Sequence, residues 1–206
     1  MKNIAMVALV TLGLMGAASA FADDGVYVLG GVGKAIAGDG GRSAIDNLVT
    51  AAGGADFSST MSEPATYKLE VGYQLDDNLA LEGGYIGSKT VNYSAAGGNL
   101  NSPVLATSRI NGWNLVGVAT APLGNGFGLL GKFGFANMQV LGHAKSSGFS
   151  DFTSGGAMDI TFGIGAKYDF TKQLFVRLDV DRFSVGSSNV SSRSTIATLN
   201  FGYKFF

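Results

Sequence analysis

Thr66-Tyr67-Lys68-Leu69-Glu70-Val71-Gly72-Tyr73-Gln74-Leu75 alternates without a break. Tyr67, Leu69, Val71, Tyr73 and Leu75 fall on one side of an extended chain. Lys68, Glu70, Gly72 and Gln74 fall on the other. Period two marks a β-strand with two unlike faces. Asp76-Asp77-Asn78 follows as a tight polar turn. The alternation then resumes, with Leu79, Leu81, Gly83 and Tyr85 set against Ala80, Glu82, Gly84 and Ile86.

The same scheme recurs downstream. Phe127 to Phe135, Ile160 to Tyr168, Leu174 to Val180 and Ala197 to Phe205 each place bulky residues on one parity. The other parity is mostly Gly, Thr and isolated charges. Gly25 to Ala35 and Ile110 to Ala121 also read as strands, but both of their faces are apolar or small and their parity stays open. Eight strands of about 10 residues use roughly 80 residues, whereas sixteen would use roughly 160 and leave almost nothing for connections. The expected fold is all-β, an eight-stranded antiparallel transmembrane β-barrel with up-and-down meander connectivity.

Composition points the same way. The 206 residues include 32 Gly, only 3 Pro and only 14% charged residues. Beyond the N-terminus no apolar run is long enough to span a bilayer as a helix, so the apolar content is spread over alternating strands. Fourteen Lys and Arg against 15 Asp and Glu leave a net charge of −1, which gives no footprint for nucleic acid. No cysteine is present, so no disulfide staples the fold.

The start of the chain predicts export. Met1-Lys2 supplies a positive charge, Ile4 to Gly16 is mainly apolar, and Ala18-Ser19-Ala20 and Ala20-Phe21-Ala22 both fit a small-residue cleavage site. Residues 1–22 are expected to be a signal peptide cut after Ala20 or Ala22, with the barrel domain spanning 23–206.

Long connections are expected at 36–65, 92–108, 143–157 and 185–194, with a short helical turn over Ser43 to Ala52. Short ones are expected at Asp76-Asp77-Asn78, Pro122 to Asn125 and Asp169 to Gln173. Long loops outside and short turns in the periplasm is the outer-membrane arrangement. A narrow eight-stranded lumen holds little bulk, so the large side chains are expected to face lipid. Tyr67, Tyr73, Tyr85, Trp113, Tyr168 and Tyr203 would form interfacial girdles.

Tyr67-Lys68-Leu69-Glu70-Val71-Gly72-Tyr73-Gln74-Leu75 and Leu79-Ala80-Leu81-Glu82-Gly83-Gly84-Tyr85 resemble the OmpA-like transmembrane domain, whose members carry K-x-x-x-G-Y-Q and then A-L-E-x-G-Y. Phe175-Val176-Arg177-Leu178-Asp179-Val180-Asp181-Arg182-Phe183 is similar to that family's penultimate strand. The resemblance implies a bacterial outer-membrane barrel in a Gram-negative envelope, without the peptidoglycan-binding domain of the full-length proteins. It further implies delivery by periplasmic chaperones and the barrel-assembly machinery. Tyr203-Lys204-Phe205 fits the family's terminal assembly signal, with Phe206 as an added residue and Phe205 favoured by parity.

By parity, Lys68, Glu70, Glu82, Lys132, Lys167, Arg177, Asp179 and Asp181 point into the lumen. Confined charges need partners, so a salt-bridge plug is expected; the sharper alternative is a gate that opens a narrow path. Gly126-Phe127-Gly128-Leu129-Leu130-Gly131 matches a nucleotide-binding pattern by letter only, because no helix follows it. Gly33-Lys34 lacks the first glycine and the hydroxyl residue of a phosphate loop. His143, the one histidine, lies near Ser146 and Ser147, but a Ser-His mechanism would also need an orienting acid, no H-x-S pattern is present, and it reads as a loop residue. No catalytic, metal or cofactor residue is assigned. The expected role is structural and surface-interacting, as a monomer in outer-membrane lipid, with any extracellular ligand at the loops. The alternative is a small gated pore of low conductance.

Overall fold

The computed structural model describes residues 25–37, 42–63, 65–144, 152–154, 158–187 and 190–205. The expected signal peptide, its cleavage site and Phe206 lie outside them. The strands are β1 (Val26–Ala37), β2 (Ser58–Met61), β3 (Ala65–Gln74), β4 (Leu79–Ser88), β5 (Val91–Ala96), β6 (Val104–Gly124), β7 (Phe127–Ala144), β8 (Phe152–Ser154), β9 (Met158–Asp169), β10 (Leu174–Ser187) and β11 (Val190–Lys204). One helix, α1, spans Arg42–Ala51.

Eight of these strands close a ring. β1 pairs with β3, β3 with β4, β4 with β6, β6 with β7, β7 with β9, β9 with β10, β10 with β11, and β11 with β1, all antiparallel. Each step is to a neighbour along the chain, so the expected meander is the observed fold. Closure pairs the backbone polar groups that an open sheet edge would leave bare in hydrocarbon.

The three further strands lengthen the wall at one end. β5 continues the path of β4 along β6, since Gly87 faces Asn111 and Val91 faces Ser108. β2 likewise continues β3 and pairs with β5. β8 continues β9 along β7. Much of the chain expected as loop at 92–108 and 185–194 is therefore strand. Its short, polar residues hid the alternation, but cross-strand pairing outweighs their weak propensity.

The opposite end carries the three short turns. Asp76 Oδ1 accepts from the backbone N–H groups of Asn78 and Leu79 at 2.8 and 2.7 Å. Thr171 Oγ1 does the same for Gln173 and Leu174 at 3.2 and 2.9 Å. The middle turn falls slightly later than expected, because β6 runs on through a bulge after Pro122 to Gly124. Its tip needs three successive left-handed residues, Gly124 (φ 91°), Asn125 (φ 52°) and Gly126 (φ 83°), which glycine and asparagine accept at least cost.

The outer wall is apolar as expected. Ile164, Val32, Phe201 and Phe133 are each more than 60% exposed. Tyr67, Tyr85 and Trp113 gather toward the loop end, with the Tyr67 and Tyr85 rings 6.3 Å apart. Tyr73, Phe127, Tyr168, Phe170 and Tyr203 gather toward the turn end. Such an exposed apolar belt has no place in water.

The lumen departs from expectation. Large side chains do enter it: Ile86, Ile110, Met138, Phe183 and Ile196 form one buried cluster, and Tyr27, Leu29 and Phe175 another. They fit because facing positions are small. Tyr27 lies opposite Gly72, and Phe175 opposite Gly202, with each ring covering the glycine Cα where a Cβ would stand.

Candidate functional site

Seven of the eight residues placed inside by parity converge in mid-lumen. Glu70 and Lys68 come from β3, Glu82 from β4, Lys132 from β7, and Arg177, Asp179 and Asp181 from β10. All seven are buried. Alternation aims each one inward, and the ring brings strands distant in sequence within reach.

Arg177 is the hub. Its guanidinium meets Glu82 through Nη1 and Nη2, the latter at 2.9 Å from Oε2. It also reaches Glu70 at 3.3 Å and Asp179 at 2.9 Å. The two-point contact with Glu82 uses the planar fork that only arginine offers. Lys68 Nζ lies 2.9 Å from Asp179, 3.0 Å from Asp181 and 3.2 Å from Glu70. Lys132 Nζ lies 3.3 Å from Asp179 and 3.0 Å from Asp181.

Neutral partners complete the network. The Tyr27 hydroxyl donates to Glu82, Asn114 Nδ2 donates to Glu70 at 2.8 Å, and Asn200 Nδ2 donates to Asp179 at 3.2 Å. None of the three stood out in the sequence, because each is uncharged and Tyr27 and Asn114 sit in the strands of open parity. An inward polar residue level with a charged one on a neighbouring strand was the available signal.

Lys167 lies apart from these seven. It points inward as parity required but lies near the turn end, 3.1 Å from Asp169, which also meets Lys204 at 3.3 Å. Both ammonium groups lie near the Phe175 ring, 5.3 and 5.9 Å from its centroid. In mid-lumen four carboxylates therefore share three cations.

Apolar layers bound the charges on both sides. Toward the loop end lie Ile86, Ile110, Ala136, Met138, Phe183 and Ile196. Toward the turn end lie Tyr27, Leu29 and Phe175, with Val116, Val118 and Leu130 beside them. A partly open cavity of about 30 Å³, lined by Tyr27, Phe175 and Arg177 and by Gln74, Asp77 and Lys204, runs from the charges to the turn end and has room for water.

A second core sits above the barrel. Ile45 and Val49 of α1 pack on Tyr93, Ala95, Val104 and Ala106. Asp46 accepts from the Tyr93 hydroxyl at 2.6 Å and from Ser59 Oγ at 3.0 Å. Burial, reinforced by the Asp46 carboxylate, pushes the Tyr93 phenol well above its usual range. The helix expected over Ser43 to Ala52 is thus present, one residue displaced, and covers the loop end.

His143 is exposed on β7, opposite Thr107. Among the described residues no group of three or more His, Asp or Glu is placed to hold a metal ion. Tyr203 and Phe205 share the outward parity, with rings 5.1 Å apart.

The chain matches the family model described as outer membrane protein beta-barrel domain over residues 5–205. No curated protein sequence matches it. Among solved structures it is similar to the outer membrane protein OprG of Pseudomonas aeruginosa, at 14% identity and a TM-score of 0.55, over 88% of this chain and 96% of that one. It is similar to Neisserial surface protein A at 11% identity and a TM-score of 0.53, over 87% and 96%. It is also similar to Ail, the attachment invasion locus protein of Yersinia pestis, at 9% identity and a TM-score of 0.51, over 88% and 99%. At these identities the likeness is one of fold.

Proposed function

Because the chain belongs to the outer membrane protein beta-barrel domain family, we propose that it is a non-catalytic barrel of the bacterial outer membrane whose work is done at the cell surface. The observation that carries this reading is the plugged lumen. Every charged group in mid-barrel is paired, and apolar layers lie above and below it. A channel needs a wet path; a dry apolar constriction gates by excluding water. The network then serves as a plug that fixes strand register, and the gated-pore alternative has less support.

Surface contact falls to the loop end, where β2, β5, β6 and α1 build a packed platform beyond the bilayer. Loops carried on a rigid scaffold are where recognition residues concentrate. The names of two structural neighbours, a surface protein and an attachment invasion protein, accord with such a role. Tyr203 and Phe205 are assigned the assembly signal, read by the barrel-assembly machinery after export through an N-terminal signal peptide. The experiment is a pair of measurements. Refolded protein in planar bilayers is expected to give no conductance steps, and deletion cells are expected to lose adhesion or envelope integrity. Steady unitary conductance, with a deletion strain indistinguishable from its parent, would sink the reading.

A further inference from the structure

Near their turn ends, the inward parities of β9 and β11 each carry a lysine, Lys167 and Lys204. In the ladder Lys167 is level with Arg177 and Lys204 with Tyr27. Both side chains nevertheless turn to Asp169, at 3.1 and 3.3 Å, and keep only 18% and 14% of their surface exposed. Both ammonium groups also stand near the Phe175 ring. Two confined cations thus share one carboxylate. In mid-lumen the imbalance is reversed, since Lys68, Lys132 and Arg177 face Glu70, Glu82, Asp179 and Asp181. Taken together the two groups balance, but the charge is split along the axis. Only the positive end is open to solvent. The cavity that leads in from the turns is lined by Lys167 and Lys204 and ends at Arg177, which is already committed to Glu70, Glu82 and Asp179. None of the four mid-lumen carboxylates lines it.

We propose that Lys167 and Lys204 hold one small monovalent anion of halide size, admitted from the turn end. Three features favour that ligand. Asp169 offsets one of the two lysines, so an ion entering the cavity meets an excess positive charge at short range, where walls such as Phe175 keep out the water that would screen it. Gln74, Asn78 and Thr120 line the same cavity and bring N–H and O–H donors that can complete the shell of an anion. Hydrogen bonds from ammonium groups are the strong ones, and they offset the loss of hydration. The volume sets the size: about 30 Å³ admits a bare halide, little larger than a water molecule, and is too small for sulfate or phosphate. Asp77 is the one carboxylate among the described lining residues. It is exposed at the rim, where salt screens it, and Lys172 shares that mouth. Asp76 is engaged by the backbone of its own turn.

The site needs the barrel but not the surface role, so the two readings fail separately. Full-length protein is refolded in halide-free zwitterionic micelles and titrated with sodium chloride while the chloride NMR linewidth is followed. Wild type should broaden the line beyond micelles alone, and sodium bromide should reverse the effect by competition. K167Q/K204Q should cut the excess broadening at least about twofold, because both local cations are gone. K34Q/K89Q, which removes two exposed lysines at the loop end, should leave it unchanged. Each variant is first checked for heat-modifiable migration. Should the double change at the turn end fail to fold, K204Q against K204R decides, the glutamine lowering the broadening and the arginine keeping it. Broadening that is equal in wild type and K167Q/K204Q, or that falls as much in K34Q/K89Q, would assign the chloride to exposed lysines and overturn the site. Wild type indistinguishable from micelles alone would overturn it as well.

Discussion

Arg177 and Lys68 each contact three of the four buried carboxylates, but among the described residues Arg177 alone pairs with Glu82, so its removal strands that carboxylate without a cation. Truncating one partner of a buried ion pair costs about 3–5 kcal/mol, because the other partner stays desolvated and alone. Arg177→Ala should lower stability in micelles by about that much, read as a shift in the urea midpoint. Arg177→Lys should recover only part, since an ammonium cannot make the two-point contact with Glu82. A midpoint unchanged in both variants would refute the hub. Gly202 tests the lumen packing separately. Its Cβ would collide with the Phe175 ring, so Gly202→Ala should cost about 1–3 kcal/mol with the backbone ladder intact. The charged members of this site were legible because a Lys, Glu, Asp or Arg on an otherwise small-residue parity has only the lumen to enter. Counting along the strands puts Glu70, Glu82, Lys132 and Asp179 near mid-membrane and Arg177 slightly toward the periplasm, but parity alone gives no partner: Lys167, level with Arg177 in register, turns to Asp169 at the turn end instead.

At the scale of elements, period two located the ring strands because lipid and lumen impose opposite demands on adjacent residues. That contrast fades outside the bilayer, where both faces of β2 and β5 meet protein or water. Ser58–Met61 and Val91–Ala96 therefore carried no clear pattern, and their pairing shows only in three dimensions. The same holds for α1, whose ten residues are too few to be helical alone. Ile45, Val49 and the Asp46 contacts hold it in place. Asp46→Ala should speed protease cleavage within 42–57 several-fold while leaving heat-modifiable migration of the barrel unchanged. Cleavage at the wild-type rate would mean that the apolar contacts suffice. The Tyr93 phenol adds a pH signature. Its pKa is raised in the folded state above the usual 10.0, so the folded state holds that proton more tightly. Its contribution to docking is complete below pH 10 and drains away as pH climbs through the folded value. Alkaline loosening of α1 should exceed that of Y93F, by hydrogen exchange of 42–51; equal pH profiles would remove Tyr93 from the account.

For the whole molecule, the order of layers along the axis decides whether ions pass. Breaking the charge network alone leaves an apolar layer on each side of it, Ile86, Met138 and Phe183 toward the loops and Tyr27 and Phe175 toward the turns. An ion entering from the loop end meets Phe183, Met138 and Ile86 before it reaches the mid-lumen charges. One entering from the turn end meets Phe175 and Tyr27. Barriers in series are not bypassed by removing the middle one. Lys132→Ala should therefore stay electrically silent in planar bilayers, as should Phe183→Ala. The triple change Lys132→Ala, Phe175→Ala and Phe183→Ala removes the plug and thins both seals, and brief openings are expected from it alone. Regular conductance steps from Lys132→Ala by itself would place the gate in the charges, and the lumen would then be a valve instead of a stopper.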